Sequence, residues 1–329
     1  MAEPSRAPHA APDEPFAGLG LSGLKLLVVA STGGHVAQAV KIADLVGASA
    51  ETLFVTFRSP QSEILTEGRR VAYVPYVHPR DYKGVLRAAP VVREILATER
   101  FDAVLSTGAG IALSVFPWAT LRRASQRTRM IYIESFSRFE GPSVTGRIAR
   151  RWPRVETYTQ HPEWASSAWS YQGDAAPARA TGTANGTAAA VSTTAGEVPR
   201  IFVTLGTIRP YRFDALLDRI RDTLPDEAEI TWQLGCTDRT DLPGTVHTLM
   251  SANDFLAAAQ AADIVISHGG VGTAMALVEM GKRTVLVPRR AQRNEHVDDH
   301  QVQVCRDFEA RGLVTYREVD QLTTADLAG

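Results

Sequence analysis

The chain has 329 residues, 44% of them hydrophobic and 22% charged, with a formal net charge of −1. That length accommodates two domains of ordinary size, and the composition is that of a soluble globular protein. The charge balance by itself points to neither nucleic acid nor membrane, and no apolar run approaches the roughly 20 residues that a spanning helix needs.

Residues 1–23 are rich in Ala, Pro and Gly and show no basic-then-apolar signal pattern, so a disordered tail is expected there. From Leu24 strand-like runs follow one another: Leu26 to Ala30, Thr52 to Phe57, Val71 to Val74, Ala103 to Ser106 and Met130 to Glu134. Helical stretches lie between them, such as Val36 to Val46, where Val36, Val40, Ala43 and Val46 share a face. This alternation predicts an α/β domain over residues 24–171, built on a parallel sheet covered on both sides.

The first strand runs into Ser31-Thr32-Gly33-Gly34-His35, a glycine turn that delivers an imidazole to the crevice at the strand end. Such a ring titrates near neutrality and can take a proton from a hydroxyl. On these residues alone, His35 reads equally as a helix-start histidine bonded to backbone. Ser106-Thr107-Gly108-Ala109-Gly110 is a second strand-end loop of this kind, and Glu134 is a carboxylate at another strand end. Glu134 can orient His35, hold a substrate hydroxyl, or merely cap a helix. Between Thr120 and Arg154, nine arginines face Glu134 and Glu140, a local balance of +7. This suits an anionic membrane surface or a diphosphate, although an ordinary solvated face would look the same. Trp118, Trp152, Trp164 and Trp169 nearby fit a membrane interface or a core. No nucleic-acid-binding motif accompanies the basic residues.

Residues 172–199 are almost entirely Ala, Thr, Gly, Ser and Pro and read as a flexible linker. The βα pattern resumes at 200–329 with Arg200 to Leu205, which leads into Gly206 and Thr207. Asp263 to Ser267 is a further strand, ending in His268-Gly269-Gly270-Val271-Gly272-Thr273; a helix from Thr273 to Met280, the closing Gly281 and a strand from Thr284 to Val287 follow. A strand, glycine loop and helix in that order can bind phosphate, with free N–H groups and the helix dipole meeting the anion, and read equally as a tight turn that only packs helix on strand. Thr273 can cap the helix or donate to the anion. Beyond the next strand lie Pro288-Arg289 and Glu295-His296-Val297-Asp298-Asp299-His300-Gln301, expected on the same crevice. Cys236 and Cys305 fit no metal or redox spacing, there is no Asp-x-Asp, and no metal site or cofactor is expected. A reduced, cytoplasmic protein is the economical reading.

The stretch from His268 to Gln301 resembles the donor-binding half of glycosyltransferase family 28, in particular the small catalytic subunit of the bipartite enzyme that adds GlcNAc to a polyprenyl-pyrophosphate sugar. It is most similar to bacterial exopolysaccharide relatives, in which HGGxGT is followed by VPR and EHVDDHQ. Residues 31–35, together with Ile133 to Arg138, Pro142 to Arg147 and Tyr158 to Trp164, resemble the membrane-recruiting partner subunit. The chain therefore looks like both subunits fused, partner first.

The resemblance implies a GT-B architecture, two doubly wound Rossmann-like domains facing across a cleft. It also implies an inverting transfer from a UDP-sugar to a lipid-linked saccharide, at the inner face of the membrane. Catalysis would fall to His35 and Glu134. The donor would be held by Gly206, Thr207, His268, Gly269, Gly270, Gly272, Thr273, Glu279, Arg289, His300 and Gln301, and the acceptor by Gly33, Gly34, Thr107, Gly108 and Arg138. Arg289, Arg290 or Arg293 would suit a uronate. One position departs from the pattern: Ala276 stands where relatives carry the glutamate that holds ribose, and Glu279 comes three residues later. A sugar-nucleotide epimerase and a non-catalytic nucleotide-binding partner are the alternatives.

Overall fold

The computed structural model describes residues 14–76, 82–120, 128–177, 198–207, 210–296 and 298–328. The chain divides into two compact units, Met1–Ala176 and Pro177–Gly329.

The first unit is organised on a sheet of seven strands: β1 (Leu26–Val29), β2 (Leu53–Phe57), β3 (Arg70–Val74), β4 (Ala103–Ser106), β5 (Arg129–Ile133), β6 (Val155–Thr159) and β7 (Ser170–Tyr171), in the order β3-β2-β1-β4-β5-β6-β7. All pairings are parallel. Every residue of β1, β2 and β4 is buried, which is why these strands read as continuous apolar runs and not as alternating ones. The strand order reverses between β1 and β4, where Val29 pairs with Ser106. At such a switch point the loops leaving two adjacent strands part to opposite faces and leave a crevice at the carboxyl edge.

The second unit repeats the plan with six strands: β8 (Arg200–Thr204), β9 (Glu229–Gln233), β10 (Thr245–His247), β11 (Ile264–His268), β12 (Thr284–Val287) and β13 (Thr315–Tyr316), ordered β10-β9-β8-β11-β12-β13 and parallel throughout. Its switch point lies between β8 and β11, where Thr204 pairs with Ser267. Four helices carry the residues discussed below: α1 (Gly34–Leu45), α2 (Val144–Arg151), α3 (Val271–Glu279) and α4 (His300–Ala310).

Two boundaries differ from the sequence expectation. The tail expected to run to Gly23 is already packed by Phe16: Phe16, Leu19 and Leu21 are at most 1% exposed. The Phe16 N–H donates to the Gln172 carbonyl (2.5 Å), and Arg129 Nη1 donates to the Leu19 carbonyl (2.7 Å). Three large apolar side chains in an Ala- and Pro-rich stretch suffice to anchor it. The first residues assigned to the linker are likewise structured, with Ala175 buried and its N–H donating to Gln160 Oε1 (2.9 Å). Residues 178–197 of the expected linker lie outside the described residues, as do Arg122, Arg123 and Arg127 of the basic stretch.

Candidate active site

In the second unit, β11 ends at His268 and α3 starts at Val271, with Gly270 as its N-cap. The helix thus begins two residues earlier than the sequence suggested, and Thr273 lies in its first turn instead of capping it. The first intrahelical bond runs from Ala274 N–H to the Gly270 carbonyl (3.0 Å), so the N–H groups of Val271, Gly272 and Thr273 precede it and point out of the helix start. An anion placed there meets these donors and the positive end of the helix dipole.

The glycines make room for neighbouring side chains as well as for a ligand. A Cβ on Gly270 would fall inside contact distance of His268 Nε2, and one on Gly206, at the end of β8, would lie 2.8 Å from both His268 Nε2 and Arg289 Nη1. A Cβ on Gly269 would lie 2.8 Å from Cys305 Sγ and 2.9 Å from the Gln301 carbonyl. His268 is therefore wedged between two strand-end glycines. Burial and the Arg289 charge push its pKa down to about 3, against a weaker pull upward from the Thr204 backbone, so the ring is neutral at physiological pH.

Arg289 is fully buried, with Nη2 donating to the Gly206 carbonyl (3.2 Å) and its guanidinium 5.7 Å from the Phe213 ring centre. It braces the end of β8, and its burial there is a structural use of the guanidinium. Gln301, also buried, accepts the Arg289 N–H at Oε1 (2.9 Å). Gln301 too was expected to touch the donor, and its side-chain oxygen instead ties α4 to the end of β12. Thr207 is exposed. Glu279 is exposed at the far end of α3, eight residues from Val271 and so about 12 Å along the axis, while Ala276 is half-buried. The shift of three positions does not bring Glu279 to the loop, and the expected ribose ligand has no replacement from this helix.

Three side chains between Arg289 and Gln301 bond to backbone N–H groups at the start of the same segment. Glu295 Oε2 accepts the Arg290 N–H (3.0 Å), Asp299 Oδ1 accepts the Ala291 N–H (2.9 Å), and Gln301 takes Arg289 as above. His296, Asp298 and His300 fall together instead, with His300 Nδ1 bonded to Asp298 Oδ1 and His296 Nδ1 3.5 Å from the same oxygen. The sequence places all three on the crevice but assigns only His300 to the donor, and no metal site was expected. An alternating His-x-Asp-x-His pattern was the signal available.

In the first unit, Gly33 has φ 79° and caps α1, which places His35 in the first turn. The loop after β4 fixes the ring. His35 Nδ1–H donates to the Thr107 carbonyl (2.9 Å), and Thr107 Oγ1 donates back to the His35 carbonyl (2.8 Å). Because a carbonyl can only accept, the proton sits on Nδ1 and Nε2 keeps its lone pair. Gly108, at φ 112°, leaves space that a Cβ would take from Tyr132 Oη (3.0 Å) and His35 Cε1 (3.2 Å). Thr107 is fully buried, so it positions His35 and does not contact an acceptor.

Glu134 does not orient His35. It is buried and accepts from Ser143 N–H (2.8 Å), Ser143 Oγ (3.1 Å), Ser135 N–H (3.1 Å) and Tyr132 Oη (3.3 Å). Ser143 in turn caps α2 through Gly146 N–H (3.0 Å). Burial raises the Glu134 pKa and these donors oppose the rise. Glu134 thus has a structural use, holding the cap residue Ser143 in place. Sequence reasoning also missed the buried amides beside it: Gln38 Oε1 accepts from Phe136 N–H (2.8 Å) and Gln160 Nε2 (2.9 Å), and the latter also donates to the Glu134 carbonyl (2.9 Å). Arg138, half-buried, is held through its backbone by Ser135 O (3.0 Å) and Trp164 Nε1 (3.1 Å).

A groove of about 670 Å³ beside α2 is lined by Arg147, Arg150, Arg151, Arg154, Trp152 and Trp169. Trp169 is buried, and Trp118, Trp152 and Trp164 pack against the same core, which favours the core reading of these rings. Among the described residues no helix is long and apolar enough to cross a membrane.

Residues 201–325 match the family described as the glycosyltransferase family 28 C-terminal domain. No curated protein sequence matches the chain. Among solved structures, it is similar to MurG of Acinetobacter baumannii at 16% identity and a TM-score of 0.52, covering 92% of this chain and 88% of that one. The glycotransferase of kitacinnamycin has 16% identity and a TM-score of 0.55 over 92% and 88%. SnogD from Streptomyces nogalater has 18% identity and a TM-score of 0.53 over 93% and 90%. The fold is GT-B, built from Rossmann-like units, and the glycine loop after β11 lies within the stretch that matches family 28.

Proposed function

We propose that the protein is an inverting glycosyltransferase that moves a sugar from a UDP-sugar to a polyprenyl-pyrophosphate-linked saccharide in bacterial exopolysaccharide assembly. The observation that carries this reading is the helix start at Gly270 to Thr273, three outward N–H groups on a glycine loop at a switch point, inside the family 28 match. That arrangement suits the diphosphate of a nucleotide-sugar, whose leaving group gains negative charge as the glycosidic bond breaks.

In the proposed reaction the acceptor hydroxyl gives its proton to His35 Nε2 while its oxygen bonds to the anomeric carbon from the face opposite the diphosphate. The bond from that carbon to the diphosphate oxygen breaks, and UDP departs with the electron pair. The Thr107 carbonyl, on Nδ1, keeps the base in the right tautomer and favours the cation that forms. The donor loop needs no proton from His268, whose ring stays neutral.

The acceptor class and the attachment to the inner membrane face draw support from the arginine groove beside α2. Basic residues near an anionic surface are worth about 1 kcal/mol each in membrane binding. The exopolysaccharide role rests on the similarity of the segment from His268 to Gln301 to such relatives. Calorimetric titration with UDP, GDP and NAD, with Gly270→Asp as control, tests the donor class. Binding of UDP alone, lost in the variant, is the expected result; no nucleotide binding at all would shift the reading to a non-catalytic protein.

A further inference from the structure

We propose that His296, Asp298 and His300 form a binding site for one divalent first-row transition ion, of which Zn²⁺ is the best probe. Each of the three offers a ligand atom of the right kind, and these atoms lie within 4.8 Å of one another. Two imidazoles and one carboxylate form a donor set that selects Zn²⁺, Mn²⁺, Fe²⁺ or Co²⁺ over Mg²⁺ and Ca²⁺, which prefer all-oxygen shells.

Three features separate this cluster from an ordinary loop of polar residues. The neighbouring side chains are committed elsewhere: Glu295 and Gln301, which flank the three ligands, and Asp299, between Asp298 and His300, hold the backbone N–H groups of Arg290, Arg289 and Ala291, which ties down the chain on either side of the cluster. Fixing the ligands before the metal arrives removes much of the ordering cost of binding. The site is also sheltered. His296 is 6% exposed, its ring stands 4.7 Å from that of His300 at 82°, and the Tyr211 ring lies over it at 5.8 Å. Finally, Asp298 Oδ1 is bonded to His300 Nδ1, and His296 Nδ1 bonds the Asp298 carbonyl at 3.1 Å, so both rings are gathered around the one aspartate and a cation would be met by ring nitrogens on either side of a carboxylate.

The cluster lies at the start of α4, and Gln301, next to His300, packs on Gly269 of the phosphate loop. An ion held there would sit at the rim of that loop. The proposal concerns the ion alone and stands or falls independently of any sugar transfer.

The test is equilibrium titration of the tag-free, full-length, chelator-stripped protein with ZnCl₂, with MgCl₂ as control, and absorption spectroscopy with Co²⁺. The expected result is one Zn²⁺ per chain, no measurable Mg²⁺ binding, and a Co²⁺ ligand-field band. His300→Gln and Asp298→Asn, both at partly exposed positions, should each weaken Zn²⁺ at least tenfold and abolish the band, with an unchanged circular-dichroism spectrum. Absence of stoichiometric Zn²⁺ binding by the unaltered protein, or its survival at full affinity in both variants, would overturn the proposal.

Discussion

His35 and Thr107 hold each other twice, ring Nδ1 to carbonyl at 2.9 Å and hydroxyl to carbonyl at 2.8 Å. The two loops meet because β1 and β4 are neighbours at the point where the strand order reverses. If Nε2 is the base, His35→Gln should lower turnover by about 10² to 10⁴. UDP affinity should stay as it was, since the nucleotide loop belongs to the other unit. An equal loss of UDP binding and turnover in the variant would count against the assignment.

Glu134→Gln separates a structural from a catalytic carboxylate. The amide keeps the shape but turns a donor toward Ser143, whose N–H and hydroxyl both need an acceptor. Unfolding in urea should show a loss of about 1–3 kcal/mol. The turnover of the folded fraction should be close to that of the parent, and a fall as large as that for His35→Gln would restore Glu134 to the chemistry.

His268 makes folding stability depend on pH in a defined window. Its pKa in the folded chain is about 3 against 6.5 for the free side chain, so between these values the unfolded state binds the extra proton. Stability is fully present above 6.5 and falls as the pH drops toward 3. One proton corresponds to a slope of about 1.4 kcal/mol per pH unit. Denaturant unfolding from pH 7 to 4 should therefore show a slope shallower by about one proton in His268→Gln, and identical slopes would show that the ring titrates normally.

Gly270→Ala drives a methyl group into the His268 ring. The expected cost is about 1–3 kcal/mol, together with loss of UDP binding as the helix start is displaced. Removing the ring first should relieve the clash, so in a double-mutant cycle with His268→Ala the two changes should couple by about 1 kcal/mol or more. Strict additivity would mean that the glycine is needed only for the ligand.

Ala109 sits at φ 64° and ψ 168°, a backbone region almost reserved for glycine, in the loop that holds His35. Such a residue costs roughly 1–3 kcal/mol. Ala109→Gly should stabilise the chain by up to about 1 kcal/mol after the added freedom of the unfolded state is counted. A drop in melting temperature would show that the methyl group has a packing role that outweighs its strain.

The sequence by itself determined the alternation of strands and helices, the two-unit organisation and the places where each chain segment turns through glycine. These are local properties: apolar runs of four or five residues specify buried parallel strands, and a glycine after one of them specifies a turn wherever the strand ends up. It also located the glycine loop and helix start after β11 to within two residues, since strand, glycines and helix are consecutive. What only the tertiary structure decided is which side chains face the crevice and which are consumed in building it. Glu134, Thr107, Arg289 and Gln301 look like ligands in the sequence because they are polar and stand just past strand ends or, for Gln301, at a helix start. Each is buried against a partner on another element: Ser143, His35, Gly206 and Arg289 respectively, the second and third of them 72 and 83 residues away. A buried polar group must be matched by a donor or acceptor, and the partner's distance along the chain leaves no mark on local periodicity. For the same reason Phe16 joined the core, its N–H bonded to the Gln172 carbonyl. Those contacts are set by the packing of whole elements, which the order of residues constrains but does not display.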